Sequence, residues 1–273
     1  VALKSISEKE DTGEVEKDEK DTEALISMAQ YPEREDVFIV TKVWPTQLGF
    51  QPTSEAVQAS AEALKSTYID MYLLHWPFCD TTISWMHCET IVDASGTWQQ
   101  SWLALERVYA EGKIQSIGVS NFNIDQLEEL LTFASVKPHL VQNYGSIGDF
   151  EGRALDEDVR DWCFRHHVVY QPYASFRNLP RRDEISDSRN SALDTISMSR
   201  SAIRHAVSLR FFLQTGASMI PRASKAEHLK ENLLVFQQKY ALTIDEMTEL
   251  GWPSRLVTFI TNNHLSLQPI HLD

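Results

Sequence analysis

The sequence predicts an α/β fold, a closed (β/α)8-like barrel of parallel strands, and three observations carry that prediction. Short apolar, β-rich runs alternate with helical patterns through most of the 273 residues, and each parallel crossover needs a helix-sized connection. No dinucleotide glycine fingerprint follows any of these runs, which favours a closed barrel over a doubly wound sheet. Two of the runs also end in chemically capable side chains: 37–41 leads into Lys42, and 71–74 leads into His75. A lysine after an apolar run is costly unless it reaches water or a partner. A histidine there suits proton transfer or hydrogen bonding, although each residue taken alone also fits a plain strand end emerging from the core.

The elements follow in order. The strand at 37–41 precedes a helix near 54–65, where Val57, Ala61 and Leu64 share one apolar stripe. A second strand at 69–74 is followed by a loop from Trp76 to about Thr97. A helix at 98–109 then carries Trp102, Leu105 and Val108 on one side. The turn Glu111-Gly112-Lys113 leads into a strand at 114–119, a helix at 124–134 and a short strand at 140–142. A helix at 156–166, a strand at 168–173, a helix at 201–215, a short strand at 218–221 and a helix at 226–240 complete the pattern. The polar stretch 177–200 reads as a lid over a site or as a solvated loop. Residues 7–23 are charged and contain no clear strand, so the first strand of a barrel is missing or altered there.

Composition bounds the partners. Hydrophobic residues make up 42% and charged residues 23%, as in a soluble globular chain of one domain, 1–273. With 39 acidic against 25 basic side chains the net charge is -14, which argues against nucleic acid or an anionic membrane as partner. No apolar run is long enough to span a bilayer and no signal peptide is visible, so cytoplasmic residence is expected. Cys79, Cys88 and Cys163, an odd number in a large chain, do not resemble a secreted disulfide framework. His75, Cys79, His87 and Cys88 lack the spacing of a structural zinc site, so no metal is expected.

Several segments in order resemble the aldo-keto reductase superfamily: Thr41-Lys42-Val43-Trp44; Leu73-Leu74-His75-Trp76-Pro77; Gly112 through Phe122, with Gly118-Val119-Ser120-Asn121-Phe122 at its end; and Ile220-Pro221-Arg222 followed by Glu231-Asn232. The resemblance is strongest over residues 35–240. It implies a TIM barrel and reduction of an aldehyde or ketone with NADPH, or with NADH, the small carbonyl compound being the substrate. It also implies an aspartate, a tyrosine, a lysine and a histidine around the substrate carbonyl. Asp11 in Asp11-Thr12-Gly13 matches the aspartate, Lys42 the lysine and His75 the histidine, while Glu16 stands where the tyrosine is expected.

In the intact arrangement, a hydride passes from the nicotinamide to the carbonyl carbon while a hydroxyl donates a proton to the developing alkoxide. The lysine lowers the tyrosine pKa, the aspartate fixes the lysine, and the histidine orients the carbonyl. Glu16 beside a lysine favours its carboxylate, which removes the acid and costs a rate factor of ~10²–10⁴. The alternative implied by Glu16 is therefore a non-catalytic relative that binds cofactor or a protein partner. For the cofactor, Ser120, Asn121 and Gln142 match residues that hold the nicotinamide carboxamide, and Tyr173 matches the ring on which it stacks. At the adenosine end Arg222 replaces lysine, Ala223 replaces serine and His228 replaces arginine, while Glu231 and Asn232 keep the adenine-recognition pattern. Arg222 retains a bidentate donor for a 2′-phosphate, and the changes around it imply weaker NADPH binding. Trp44, Trp76, Phe78 and Trp98 are expected to line the pocket or to pack the barrel rim.

Overall fold

The computed structural model describes residues 33–90, 96–147, 155–177, 179 and 188–252. Asp11, Glu16 and the altered first strand expected near the amino end lie outside these residues. Backbone contacts group residues 1–38 and residues 39–273 as two units, and every strand and α-helix described below belongs to the second.

Five parallel strands form one sheet in chain order: β1 (Val40–Val43), β2 (Met71–Leu74), β3 (Ile117–Ser120), β4 (Leu140–Tyr144) and β5 (Val169–Tyr173). Their register pairs Lys42 with Leu73, Leu74 with Val119, Ser120 with Gln142 and Tyr144 with Tyr173. Because all five run the same way, every carboxyl end emerges at one edge of the sheet, where the side chains that end or follow the strands can meet. β2 and β3 are buried throughout, so their apolar runs are continuous rather than alternating. Gly118 is required at the β3–β4 seam, since a Cβ there would lie 2.4 Å from the Leu140 carbonyl oxygen.

Helices cover the strands. α1 (Phe50–Leu64) packs beside α2 (Trp98–Ala110), which buries Trp102, Leu105 and Val108. Thr97 and Gln100 form a reciprocal capping box at the start of α2, and Asn123 with Gln126 does the same for α3 (Ile124–Phe133). α3 buries Leu127 and Leu130 and lies beside α4 (Glu157–His166), where the Trp162 indole donates to Glu128 at 2.7 Å. α5 (Ser188–Ser199), α6 (Arg204–Gln214), α7 (Ala226–Leu234) and α8 (Ile244–Glu249) complete the described helices. None of them is long and apolar enough to cross a membrane.

The parallel α/β architecture is the one the sequence predicts, and four local expectations are corrected. Residues 218–221 are not a strand: the Ser218 amide donates to the Tyr170 carbonyl at 2.9 Å, but Pro221 has no N–H with which to extend a ladder. The polar stretch 177–200 is not a loop throughout, because 188–199 is helical and buries Leu193 and Ile196. A left-handed Ser201 (φ 49°) ends that helix, with the Ala202 amide reaching back to the Ser197 carbonyl, so the expected 201–215 helix begins only at Arg204. Finally, Cys79 and Cys88 form a disulfide, while Cys163 is free and buried.

Candidate functional site

Lys42 and His75 lie on neighbouring strand ends. β1 pairs with β2, and the His75 amide donates to the Val43 carbonyl at 3.1 Å, which extends the pairing one residue past β2. Burial lowers the Lys42 pKa, and no carboxylate pairs with it among the described residues. Burial, reinforced by the Lys42 charge, lowers His75 to about 4, so its imidazole is neutral near pH 7. A neutral imidazole beside an ammonium offers two different donors to one oxygen.

The next three strands supply a hydrogen-bonded floor. Asn121, immediately after β3, adopts a left-handed backbone (φ 61°) that turns its side chain across the strand ends. Its Nδ2 donates to the His75 carbonyl at 2.9 Å and to Ser120 Oγ at 3.2 Å, and its Oδ1 accepts from the Tyr173 hydroxyl at 2.8 Å. Ser120 Oγ donates to the Gln142 carbonyl at 2.6 Å, Gln142 Nε2 donates to Gln171 Oε1 at 2.7 Å, and Gln171 Nε2 donates to Ser218 Oγ at 3.1 Å. Ser120 and Gln142 are buried, whereas the Tyr173 ring is half-buried and meets Tyr144 edge-on at 5.9 Å. Burial raises the Tyr173 pKa, so its phenol stays protonated and holds the bond to Asn121. Carboxamides, a hydroxyl and a partly open aromatic ring at one edge fit a planar ring bearing a carboxamide.

An aromatic wall rises beside His75. Trp44 meets the imidazole at 5.1 Å, ring to ring, and its Nε1 donates to the Met86 carbonyl at 3.1 Å. Trp76 follows at 5.8 Å from Phe78. Trp98 does not join this wall; it is 7% exposed and packs against Phe122 and Phe133. It does border a cavity of about 360 Å³ shared with Pro45, Pro77, Phe78 and Cys79. Gly96 closes that cavity's edge, where any Cβ would overlap the Leu48 carbonyl.

The remaining predicted residues within the described range are less enclosed than this floor. Arg222 and His228 are exposed and Glu231 and Asn232 are half-buried; the last three are on α7, a helix with no buried residue. His205 of α6 faces this group. Burial lowers its pKa, Glu231 opposes that shift and His228 adds to it, and the Phe176 ring stands edge-on to the imidazole at 4.7 Å. Sequence reasoning missed His205 and Gln171. A glutamine inside the apolar run 168–173 was a signal for the second; nothing local marked the first. Among the described residues no group of three or more His, Cys, Asp or Glu side chains is arranged to hold a metal.

Comparison with known proteins agrees with this fold. The glyoxal reductase of Bacillus subtilis is 31% identical over 217 residues, covering 80% of this chain and 68% of that protein. The 9,11-endoperoxide prostaglandin H2 reductase of Trypanosoma cruzi is 30% identical over 221 residues, covering 80% of this chain and 68% of that protein. Among solved structures, an aldo-keto reductase of the silkworm Bombyx mori superposes with a TM-score of 0.69 at 26% identity, over 85% of this chain and 66% of that one. The same reductase complexed with NADPH gives 0.68 at 25% identity, over 85% and 67%. Residues 11–251 match the aldo/keto reductase family, a span that takes in every strand and helix described above. The chain belongs to the aldo/keto reductase family, whose typical activity is NAD(P)H-dependent carbonyl reduction.

Proposed function

We propose that this chain binds a nicotinamide dinucleotide, with NADPH preferred over NADH, and reduces a small aldehyde or ketone at the edge formed by Lys42 and His75. The observation that carries the reading is the bond network from the His75 carbonyl through Asn121 to the Tyr173 hydroxyl, which ties the candidate catalytic edge to the candidate cofactor floor. The NADPH complex of the silkworm relative supports the choice of cofactor. When bound, the reduced nicotinamide supplies the hydride.

Each residue has a distinct task in this reading. Ser120, Asn121 and Gln142 hold the carboxamide, and Tyr173 covers one ring face so that the other meets the substrate. Neutral His75 donates a hydrogen bond to the carbonyl oxygen, and the Lys42 ammonium stabilises the negative charge that develops there. Arg222 takes a 2′-phosphate, with His228, Glu231 and Asn232 around the adenine. By the family resemblance, Asp11 takes the part of the aspartate and Glu16 the position of the expected tyrosine, where a carboxylate would limit proton delivery. Cytoplasmic residence belongs to the same reading and would expose the Cys79–Cys88 bridge to a reducing thiol pool.

Glu16 also favours a second reading, in which the chain binds cofactor, or a protein partner, without turnover. Fluorescence titration with NADPH and NADH, followed by cofactor consumption over a panel of carbonyls, separates the two. Saturable NADPH binding with turnover is expected. Restoring the acid with Glu16→Tyr should raise the rate by up to ~10²–10⁴ if it completes the proton path. No saturable binding of either cofactor would overturn both cofactor-based readings, whereas binding without turnover in either chain would leave only the second.

A further inference from the structure

Every other lysine among the described residues is exposed, and several are engaged. Lys113 pairs with Glu111 at 2.8 Å, Lys137 donates to the His166 carbonyl at 2.7 Å, and Lys239 lies 4.9 Å over the Tyr240 ring. Lys42 is half-buried at the carboxyl end of β1, and among the described residues neither a carboxylate nor a hydrogen-bond acceptor holds its Nζ. Burial therefore acts on the ammonium without compensation and enlarges the fraction present as free amine, the form with a lone pair to give. A desolvated lysine of this kind is a nucleophile toward carbonyl carbon.

The amine also leaves a rigid frame. Val43, next in the strand, is fully buried, and the Trp44 indole N–H is fastened to the Met86 carbonyl at 3.1 Å. The pairing of β1 with β2, continued by the His75 amide on the Val43 carbonyl, brings His75 to the adjoining strand end. Its imidazole stands edge-on to Trp44 and feels the Lys42 charge, and among the described residues no hydrogen bond takes either ring nitrogen. A neutral imidazole accepts a proton at one nitrogen and releases one from the other. An amine beside such a relay supplies both parts needed to join nitrogen to a carbonyl carbon.

We propose that Lys42 is a covalent aldehyde-binding site, its Nζ forming an imine with a small aldehyde while His75 carries the proton from nitrogen to oxygen. The Nζ lone pair attacks the carbonyl carbon, the C–N bond forms, and the C=O π electrons pass to oxygen. His75 takes a proton from the new N–H and gives one to that oxygen, which yields a neutral carbinolamine. The nitrogen lone pair then expels the hydroxyl, which leaves as water with the last N–H proton relayed by His75. One amine and one aldehyde thus give one imine and one water, with nothing oxidised or reduced. An aldehyde is preferred to a ketone because its less crowded carbon is easier for a half-buried amine to reach. This activity needs no nicotinamide and stands apart from the reductase reading, which uses the same side chain as its ammonium.

The test incubates the full chain, without cofactor and near neutral pH, with propanal and sodium cyanoborohydride. The reagent delivers hydride to the carbon of the protonated imine and fixes it as a secondary amine, and peptide mass mapping locates the propyl groups. Lys42 should be labelled at least about tenfold faster than Lys113 or Lys137 of the same chain, because the relay and the rigid frame act only there. The parent chain alone decides this point, since the two exposed lysines are internal references. His75→Asn, or His75→Gln where the first variant fails to fold, should slow labelling at Lys42 by ~10²-fold and leave Lys113 and Lys137 unchanged. Labelling of Lys42 no faster than of the exposed lysines overturns the inference, and so does a rate at Lys42 that survives loss of the imidazole. NADPH binding is titrated separately: a chain that forms the imine but binds no cofactor upholds this inference and overturns the reductase reading, and the converse result overturns this inference alone.

Discussion

The floor beneath the proposed nicotinamide position and the rim beneath the proposed adenosine position are built differently. On the floor, Ser120, Asn121, Gln142 and Tyr173 stand at strand ends and are held by one another or by backbone carbonyls before any ligand arrives. On the rim, Arg222 and His228 are exposed, and α7 buries no residue at all. Preorganised donors lose little freedom on binding, while exposed long side chains must be ordered at that moment. The comparison teaches that geometry at the candidate reacting end is fixed by the sheet, whereas grip on a distal phosphate would rest on a few solvated side chains.

Four measurements can break or sharpen this contrast. The largest effect is expected at the floor's catalytic edge: Lys42→Met should lower turnover by ~10²–10⁴ while fluorescence titration shows NADPH affinity within a factor of about three. Equal losses in both would mean that Lys42 serves binding. Next, Gln142→Leu leaves Gln171 Oε1 without its buried donor and should cost about 1–3 kcal/mol in urea unfolding. A neutral outcome there would show that the floor is not preorganised.

The third measurement is pH dependence. The His75 pKa is about 4 in the folded chain against about 6.5 unfolded, so between those values the unfolded state binds more protons and stability falls as pH falls. His75 is partly solvated, and after screening the loss from pH 6.5 to 4 should be about 1–2 kcal/mol. It should be absent in His75→Asn, as read by the difference between the two chains' unfolding curves. The smallest effect is expected on the rim: Arg222→Ala should weaken NADPH about fivefold and leave NADH unchanged, because an exposed charge contributes at most about 1 kcal/mol. A loss of a hundredfold would show that the rim is as well ordered as the floor.

Legibility in the sequence followed the same division. The candidates Lys42, His75, Ser120, Asn121, Gln142 and Tyr173 stand out in the sequence because strand ends are marked by apolar runs and the motifs keep their order. Gln171 was hidden because its partners, Gln142 and Ser218, are 29 and 47 positions away. The helix at 188–199 was hidden because Leu193 and Ile196 supply too few apolar positions to outweigh its polar residues. Residues 218–221 misled in the opposite sense: composition permits a strand, but strand formation needs a ladder, and Pro221 cannot donate to one.

The sequence by itself determined the alternation of strands and helices, the family and the residue types at the candidate edge, because periodicity and motif order are local properties of the chain. Tertiary structure decided which side chains meet: Asn121 joining His75 to Tyr173, His205 facing Glu231 and His228, and Cys79 closing on Cys88 so that Trp85 lies against Trp44 and Trp76. Contacts of that kind depend on sheet register and loop closure, which no local pattern encodes.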